Sequence, residues 1–121
     1  MLIYKNAAFS DWASNYSISD DVLASAINEM NKGAYEASLG GCIYKKRISI
    51  GNKGKSGGAR TIVAFVVNER AFFIYGFAKN KLDNIDDREL KALKSLAKVY
   101  LKLTDDELIK AVQESKLIRV E

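Results

Sequence analysis

The 121-residue sequence has no histidine, no proline and a single cysteine, Cys42. One cysteine cannot form an internal disulfide, and without histidine or a second cysteine the usual zinc-binding patterns are excluded. Ser-His-Asp and Cys-His catalysis are excluded as well, because both need an imidazole base. Acid-base chemistry must therefore use lysine, tyrosine, aspartate or glutamate. We predict that Cys42 is a small buried apolar residue near the start of a strand.

Long apolar runs are absent too. No run approaches the roughly 20 apolar residues that cross a bilayer, and the opening Met1-Leu2-Ile3-Tyr4-Lys5 is followed by a polar residue. Since 48% of the residues are apolar, the chain has enough material for one core. We therefore expect a single soluble domain over residues 1–121, located in the cytoplasm, with no signal peptide, membrane contact, metal or cofactor.

Acidic residues are missing from the middle of the chain. Between Ala37 and Asn68 there is no aspartate or glutamate, whereas six basic residues fall in this stretch. The flanking thirds carry an excess of acidic residues, so the positive charge is concentrated in the middle. Such a distribution favours binding to a polyanion.

The hydrophobic periodicity changes twice along the chain. An opening strand at Leu2 to Tyr4 is followed by a helix that Ser19 caps and Gly33 ends. A period of two then predicts strands over 42–50, 60–67 and 71–78, joined as an antiparallel meander. The final third is helical again, and the capping box Thr104-Asp-Asp-Glu107 starts its second helix. This order predicts an α+β domain with a twisted antiparallel sheet of three to four strands packed between N-terminal and C-terminal helices.

The meander predicts that separate cations meet on one face of the sheet. The end of the first long strand, the start of the second and the end of the third lie together in such a topology. Tyr75 could stack on a base or donate to a phosphate there, and we expect it to share a face with Phe73 and Phe77. Lys46 falls on the apolar side of its strand and must snorkel or lie near an edge. The residues predicted for this polyanion-binding face are Lys45, Lys46, Arg47, Lys53, Lys55, Arg60, Lys79 and Lys81, with Tyr75 beside them.

Three segments resemble a known family. They are Tyr44-Lys45-Lys46-Arg47-Ile48, GKSGGARTIVAF over 54–65 and FFIYGFAKNKLDNI over 72–85. Together they resemble the RelE-like toxins of bacterial toxin–antitoxin pairs, and most closely a RelE or HigB-like subgroup. The resemblance implies helices packed on a twisted antiparallel sheet, and an RNase that cuts mRNA in the ribosomal A site. It also implies a cognate antitoxin as inhibitor and contact with the ribosome through 16S rRNA.

The resemblance also implies roles for single residues. Lys45 and Arg47 match a basic pair that assists proton transfer and binds phosphate in relatives. Arg60 matches the arginine that stabilises the scissile phosphate, and Lys79-Asn80-Lys81 lies where relatives place another cation. Many relatives carry a tyrosine or histidine a few residues later. This chain has neither there nor after Tyr100, so the resemblance does not identify the general acid.

The chemistry is possible without histidine or metal if the RNA 2′-hydroxyl attacks the adjacent phosphorus. The protein then supplies a proton acceptor, a proton donor and positive charge on the phosphorane. Repulsion from Lys46 and Arg47 would favour Lys45 as the acceptor. Two alternatives remain: a ParE-like gyrase inhibitor, which would not need clustered cations, and a non-catalytic nucleic-acid-binding regulator. The lack of a helix-turn-helix with base-reading polar residues speaks against the regulator.

Overall fold

The computed structural model describes residues 1–50, 58–78 and 85–121. This part of the chain forms six strands and four helices, which confirms the predicted α+β class. The number of strands exceeds the predicted three to four, because two strands of four and three residues are too short to show a period. The elements are β1 (Leu2–Asn6), α1 (Ala7–Asn15), α2 (Asp20–Asn31), β2 (Ala37–Gly40), β3 (Ile43–Ile48), β4 (Ala59–Val66), β5 (Arg70–Ala78), α3 (Asp87–Leu101), α4 (Asp105–Gln113) and β6 (Leu117–Arg119).

The six strands form one sheet in the order β2-β3-β4-β5-β1-β6. Strands β3, β4 and β5 are antiparallel neighbours, which confirms the predicted meander. The opening strand β1 pairs with β5 in parallel, and the short β6 then pairs with β1. The sheet is therefore mostly antiparallel.

Helices cover both faces of the sheet and create two apolar cores. The α1–α2 face is the side on which Phe9 and Leu23 pack, and the α3–α4 face is the side on which Ala97 and Leu108 pack. Alternating side chains of the central strands divide between them. Sheet residues of the α1–α2 face include Ile48, Val63 and Phe73, and those of the α3–α4 face include Ile43, Ile62 and Phe72.

The predicted helix ends are confirmed. The Ser19 side chain accepts from Val22 N at the start of α2, and Thr104 and Glu107 form the capping box of α4. Helix α2 ends in a Schellman motif, in which Gly33 has φ +90° and Ala34 N donates to Glu29 O. Local polar signals therefore locate these helix boundaries.

A β-bulge in β5 changes which aromatic side chains share a face of the sheet. Tyr75 pairs with Ile62, but Phe73 pairs with Val63, so Ile74 is an extra residue in β5. Phe73 consequently packs on Phe9 in the α1–α2 core, whereas Tyr75 and Phe77 belong to the α3–α4 core. The expectation that all three share one face is wrong, because simple alternation does not include the extra residue.

The prediction of a buried Cys42 is also wrong. Strand β3 begins one residue later, and Cys42 lies exposed in the β2–β3 turn with φ +62°. The turn directs the thiol to solvent instead of into the core.

Candidate functional site

Two rows of side chains cross the α3–α4 face of the central strands. Lys45 of β3 pairs with Ile62, which pairs with Tyr75, and Arg47 pairs with Arg60 in the next row. Directly paired residues in antiparallel strands point to the same face. The structure therefore brings four predicted residues from three strands together: Lys45, Arg47, Arg60 and Tyr75.

A carboxylate lies among these cations. Glu36, just before β2, has Oε2 at 3.1 Å from Arg60 Nε and at 3.7 Å from Lys45 Nζ. The side chains of Lys45, Arg60 and Glu36 are 20%, 12% and 28% exposed, so the group is partly shielded from water. Partial burial strengthens the electrostatic interactions of all three groups.

Arg60 retains an unused donor. Its Nη1 atom is enclosed and has no hydrogen-bond acceptor within residues 1–50, 58–78 and 85–121, although Nε bonds Glu36. An unsatisfied buried donor is costly, and a charged one more so. Arg47 occupies the register position opposite Arg60 on the neighbouring strand. Among the described residues, Arg60 therefore keeps a charged donor that an additional anion would satisfy.

Lys46 lies away from this group. Its side chain faces α2, is 6% exposed, and places Nζ at 2.7 Å from Glu29 Oε1. The backbone of Lys46 is also bonded to a side chain, because the Thr61 hydroxyl donates a hydrogen bond to Lys46 O. The structure therefore places Lys46 in the α1–α2 core region, and it does not bring Lys46 together with Lys45 and Arg47. This outcome matches the prediction that Lys46 falls on the apolar side of its strand.

The other predicted cations lie outside the described residues. They are Lys53 and Lys55, between β3 and β4, and Lys79 and Lys81, after β5. Two described residues near these segments, Ala59 and Ala78, are direct partners in the β4–β5 ladder.

Tyr75 lies beside Phe77, with ring centroids 6.0 Å apart. Burial, followed by the negative charge of Glu89 in the first turn of α3 and hydrogen bonding to that carboxylate, raises the pKa of Tyr75 above its ordinary value of 10.0. Tyr75 is therefore a neutral hydroxyl at physiological pH.

The hollow beside Lys45 is small. It holds about 90 Å³ and is lined by Leu39, Lys45, Ile85 and Leu90. A groove of about 570 Å³ lies elsewhere, between α3 and α4. Enclosed small-molecule sites are usually 300 Å³ or larger, so the cation group has the form of a surface site, which suits an extended polymer better than a small ligand.

Neither a metal cluster nor a spanning helix is found in the described part of the chain. No three histidine, cysteine, aspartate or glutamate side chains gather there as ligands would. Among the same residues, no helix combines the length and apolarity needed to cross a membrane.

Glu36 and Glu89 are the two residues of this site that the sequence patterns do not identify. Glu36 is the last acid before the acid-free stretch, and this position is the only signal in the sequence. Glu89 has the form of an ordinary acid in the first turn of a helix. Only the tertiary fold shows that both contact predicted residues.

Comparison with known families identifies the chain. A family model described as RelE toxin of RelE / RelB toxin-antitoxin system matches residues 1–120. Comparison with curated proteins gives no significant match. The family match covers nearly the whole chain, including both helical flanks, and a toxin of such a system has a cognate antitoxin as its protein partner. The chain therefore belongs to the RelE toxin family.

Proposed function

We propose that this toxin is a metal-independent endoribonuclease that cleaves mRNA on the ribosome and so inhibits translation. The observation that carries this proposal is that Lys45 and Arg60 lie around the Glu36 carboxylate, with Arg47 at the register position opposite Arg60. Cations gathered around a proton-accepting group are what cleavage of a phosphodiester requires. Family membership supports the same function.

The reaction begins with the RNA 2′-hydroxyl. Its oxygen forms a bond to the adjacent phosphorus while the bond from phosphorus to the 5′-oxygen breaks. The products are a 2′,3′-cyclic phosphate and a free 5′-hydroxyl. One proton leaves the 2′-hydroxyl and one is delivered to the 5′-oxygen, so no water, metal or cofactor is consumed.

Glu36 is the proton acceptor in this proposal. The sequence argument for Lys45 rested on repulsion by Lys46 and Arg47, but the Lys46 ammonium points to the opposite face and pairs with Glu29, which leaves Arg47 alone in that argument. The charged group beside Lys45 is instead the carboxylate of Glu36. An ionised carboxylate accepts hydrogen bonds and a proton through its oxygens, and this one lies beside the arginine that would hold the phosphate.

The cations take the remaining roles. Arg60 and Arg47 hold the scissile phosphate, because a guanidinium stays charged and donates in a planar fork. Lys45 neutralises charge that develops on the phosphorane. The proton donor to the 5′-oxygen is assigned to Lys79, the first cation after β5. Lys53, Lys55 and Lys81 bind the neighbouring backbone, and the Tyr75 ring stacks on a base.

The partners follow from the same site. The hollow beside Lys45 holds only about 90 Å³, so we propose that the substrate strand is presented in extended form, as mRNA is in the ribosomal A site. We propose that 16S rRNA provides the remaining contact. The cognate antitoxin then inhibits by covering or neutralising the cation group.

The test is an RNA cleavage assay with and without ribosomes, in buffer containing EDTA. We expect cleavage of ribosome-bound mRNA and fragments that end in a cyclic phosphate and a 5′-hydroxyl. The Arg60→Ala protein is the matched negative control for contaminating nucleases. Absence of cleavage under both conditions, or cleavage that EDTA abolishes, would contradict the proposal. Inhibition of DNA gyrase by the same preparation would support the ParE-like alternative.

A further inference from the structure

We propose that Asn6 is a positioning residue that directs Tyr75 onto the substrate face by holding the bulge of β5. Asn6 is the last residue of β1 and the N-cap of α1, and no sequence pattern connects it with the site. The inference rests on the proposed function, because Tyr75 is taken there as a contact to RNA. Its geometric part can be tested without RNA.

The bulge decides which face Tyr75 occupies. Side chains alternate along a regular strand, so Phe73 and Tyr75 would share a face. Phe73 packs against Phe9 on the α1–α2 side. Because Ile74 is an extra residue, Tyr75 pairs with Ile62 and lies on the α3–α4 face with Lys45. Without the bulge, Tyr75 would point into the α1–α2 core.

Asn6 contacts the bulge directly. Its Nδ2 donates to the carbonyl oxygen of Ile74 at 3.2 Å, and its Oδ1 accepts from Phe9 N at 2.8 Å as the N-cap of α1. Asn6 is only 7% exposed, so water does not readily replace either bond. A bulge interrupts the ladder and leaves backbone groups to be satisfied in other ways. An ionised aspartate would serve the cap equally well but has no donor, whereas asparagine caps the helix with its amide oxygen and donates to the bulge with its amide nitrogen.

Helix α1 holds the other side of Tyr75 as well. A Cβ atom built on Gly76 would clash with the Trp12 indole, so this side chain lies directly against the glycine. Tyr75 is therefore flanked by two contacted residues, Ile74 bonded by Asn6 at the start of α1 and Gly76 covered by Trp12 of α1. The Tyr75 ring itself packs beside Phe77 in the α3–α4 core.

The test uses Asn6→Asp, which keeps a capping oxygen and loses the amide donor. We expect the KM for RNA to rise about tenfold, with kcat changed less than twofold, because loss of one stacking contact weakens binding. Ser19→Ala is the matched control: it removes the cap of α2 without touching β5, so both parameters should stay at parental values. An equal fall of kcat in Asn6→Asp, or a parental KM, would overturn the proposal.

A double-mutant cycle separates positioning from general destabilisation. In a Tyr75→Ala background, Asn6→Asp should change KM no further, because the group through which it acts is gone. If the two KM effects multiply, Asn6 acts by another route and the proposal is wrong.

A third measurement does not depend on RNA. With ¹³Cζ-labelled tyrosine, the Tyr75 resonance, assigned from Tyr75→Phe, should move in Asn6→Asp and titrate at lower pH as the Glu89 contact weakens. An unchanged resonance and titration would overturn the positioning role whatever the cleavage assay shows. A changed resonance in a protein that cleaves no RNA would leave the positioning intact and refute the proposed function instead.

Discussion

Lys45 and Lys46 are adjacent in β3 and face opposite sides of the sheet. Lys46 is 6% exposed and paired with Glu29 of α2, where it completes the packing of the α1–α2 face. Lys45 is 20% exposed and shares Glu36 with Arg60 on the α3–α4 face. The same residue type is thus part of the scaffold in one position and part of the site in the next. The number of basic residues in a strand therefore exceeds the number that can face one ligand, because alternate side chains point to opposite faces of the sheet.

The two faces also differ in how their charges are balanced. The Lys46–Glu29 pair brings one positive and one negative charge together at 2.7 Å. On the other face, Lys45 and Arg60 share the Glu36 carboxylate, Arg47 pairs with Arg60 in the register, and Arg60 Nη1 has no acceptor among the described residues. The second arrangement therefore keeps a charged donor that an anion would satisfy. Four experiments test this contrast, starting with the largest expected effect.

Arg60→Ala tests whether the excess charge acts in catalysis. We expect RNA cleavage to fall by about 10³-fold, the upper range for removing one donor to a developing oxyanion. Expression of the variant should no longer arrest growth. Arg60→Lys keeps the charge but not the planar fork and should recover only part of the rate. Parental activity in Arg60→Ala would remove the basis of the assignment.

Glu36→Gln tests the proton acceptor. The substitution keeps the shape and removes the basic oxygen, so cleavage should fall by about 10²-fold, within the range for general acid-base groups. Binding of uncleavable 2′-deoxy substrate should tighten, because a negative charge leaves the cation group. Weaker binding together with an unchanged cleavage rate would mean that Glu36 only supports the structure.

Lys45→Met and Lys46→Met form a matched pair. We expect Lys45→Met to lower the cleavage rate about tenfold and to leave the free energy of unfolding nearly unchanged. The loss of rate is smaller than for removal of a fully desolvated donor, because the Lys45 side chain is 20% exposed. Lys46→Met should leave cleavage unchanged and reduce the free energy of unfolding by about 1 kcal/mol, since Glu29 is 34% exposed and water can partly solvate it. Measured cleavage rates and urea denaturation curves distinguish the two variants. The reverse pattern would refute the division between the faces.

Tyr75→Phe should have the smallest effect, confined to high pH. The folded pKa of Tyr75 lies above 10.0 through burial and then Glu89, so the folded state keeps the proton longer than the unfolded chain. This contribution to stability is complete below pH 10 and is lost as the pH rises through the folded pKa. In urea denaturation between pH 9 and 11, the free energy of unfolding should fall less steeply with pH for Tyr75→Phe than for the parent protein. Equal slopes would contradict the Tyr75–Glu89 contact.

Much of the fold follows from local signals in the sequence. The period of two locates β3, β4 and β5, and the caps at Ser19 and Thr104 locate helix starts. The convergence of Lys45, Arg47 and Arg60 is predictable too, since alternation and an antiparallel meander place them on one face. These features depend on neighbours close in sequence or on a simple strand order.

Other features depend on tertiary contacts and are not predictable in this way. Strands β2 and β6 are short and form because a sheet edge is available to them. At the β5 bulge, Ile74 O accepts a hydrogen bond from Asn6, which is 68 residues away in the sequence. Glu36 joins the site because its backbone N–H pairs with Lys45 O beside β3, which no composition or spacing rule indicates.

The pairing of β6 with β1 brings the two ends of the sequence side by side, since Val120 N bonds Ile3 O and Ile3 N bonds Glu121 O. The cations lie on β3 and β4, separated from these ends by β5 in the strand order. A short peptide joining the ends would therefore close the backbone into a ring without crossing the strands that carry the cation group. New termini could then be opened at the β4–β5 turn, where Asn68 has φ +59°. Such a circular permutant offers a way to attach a reporter to this toxin at a distance from the cation group.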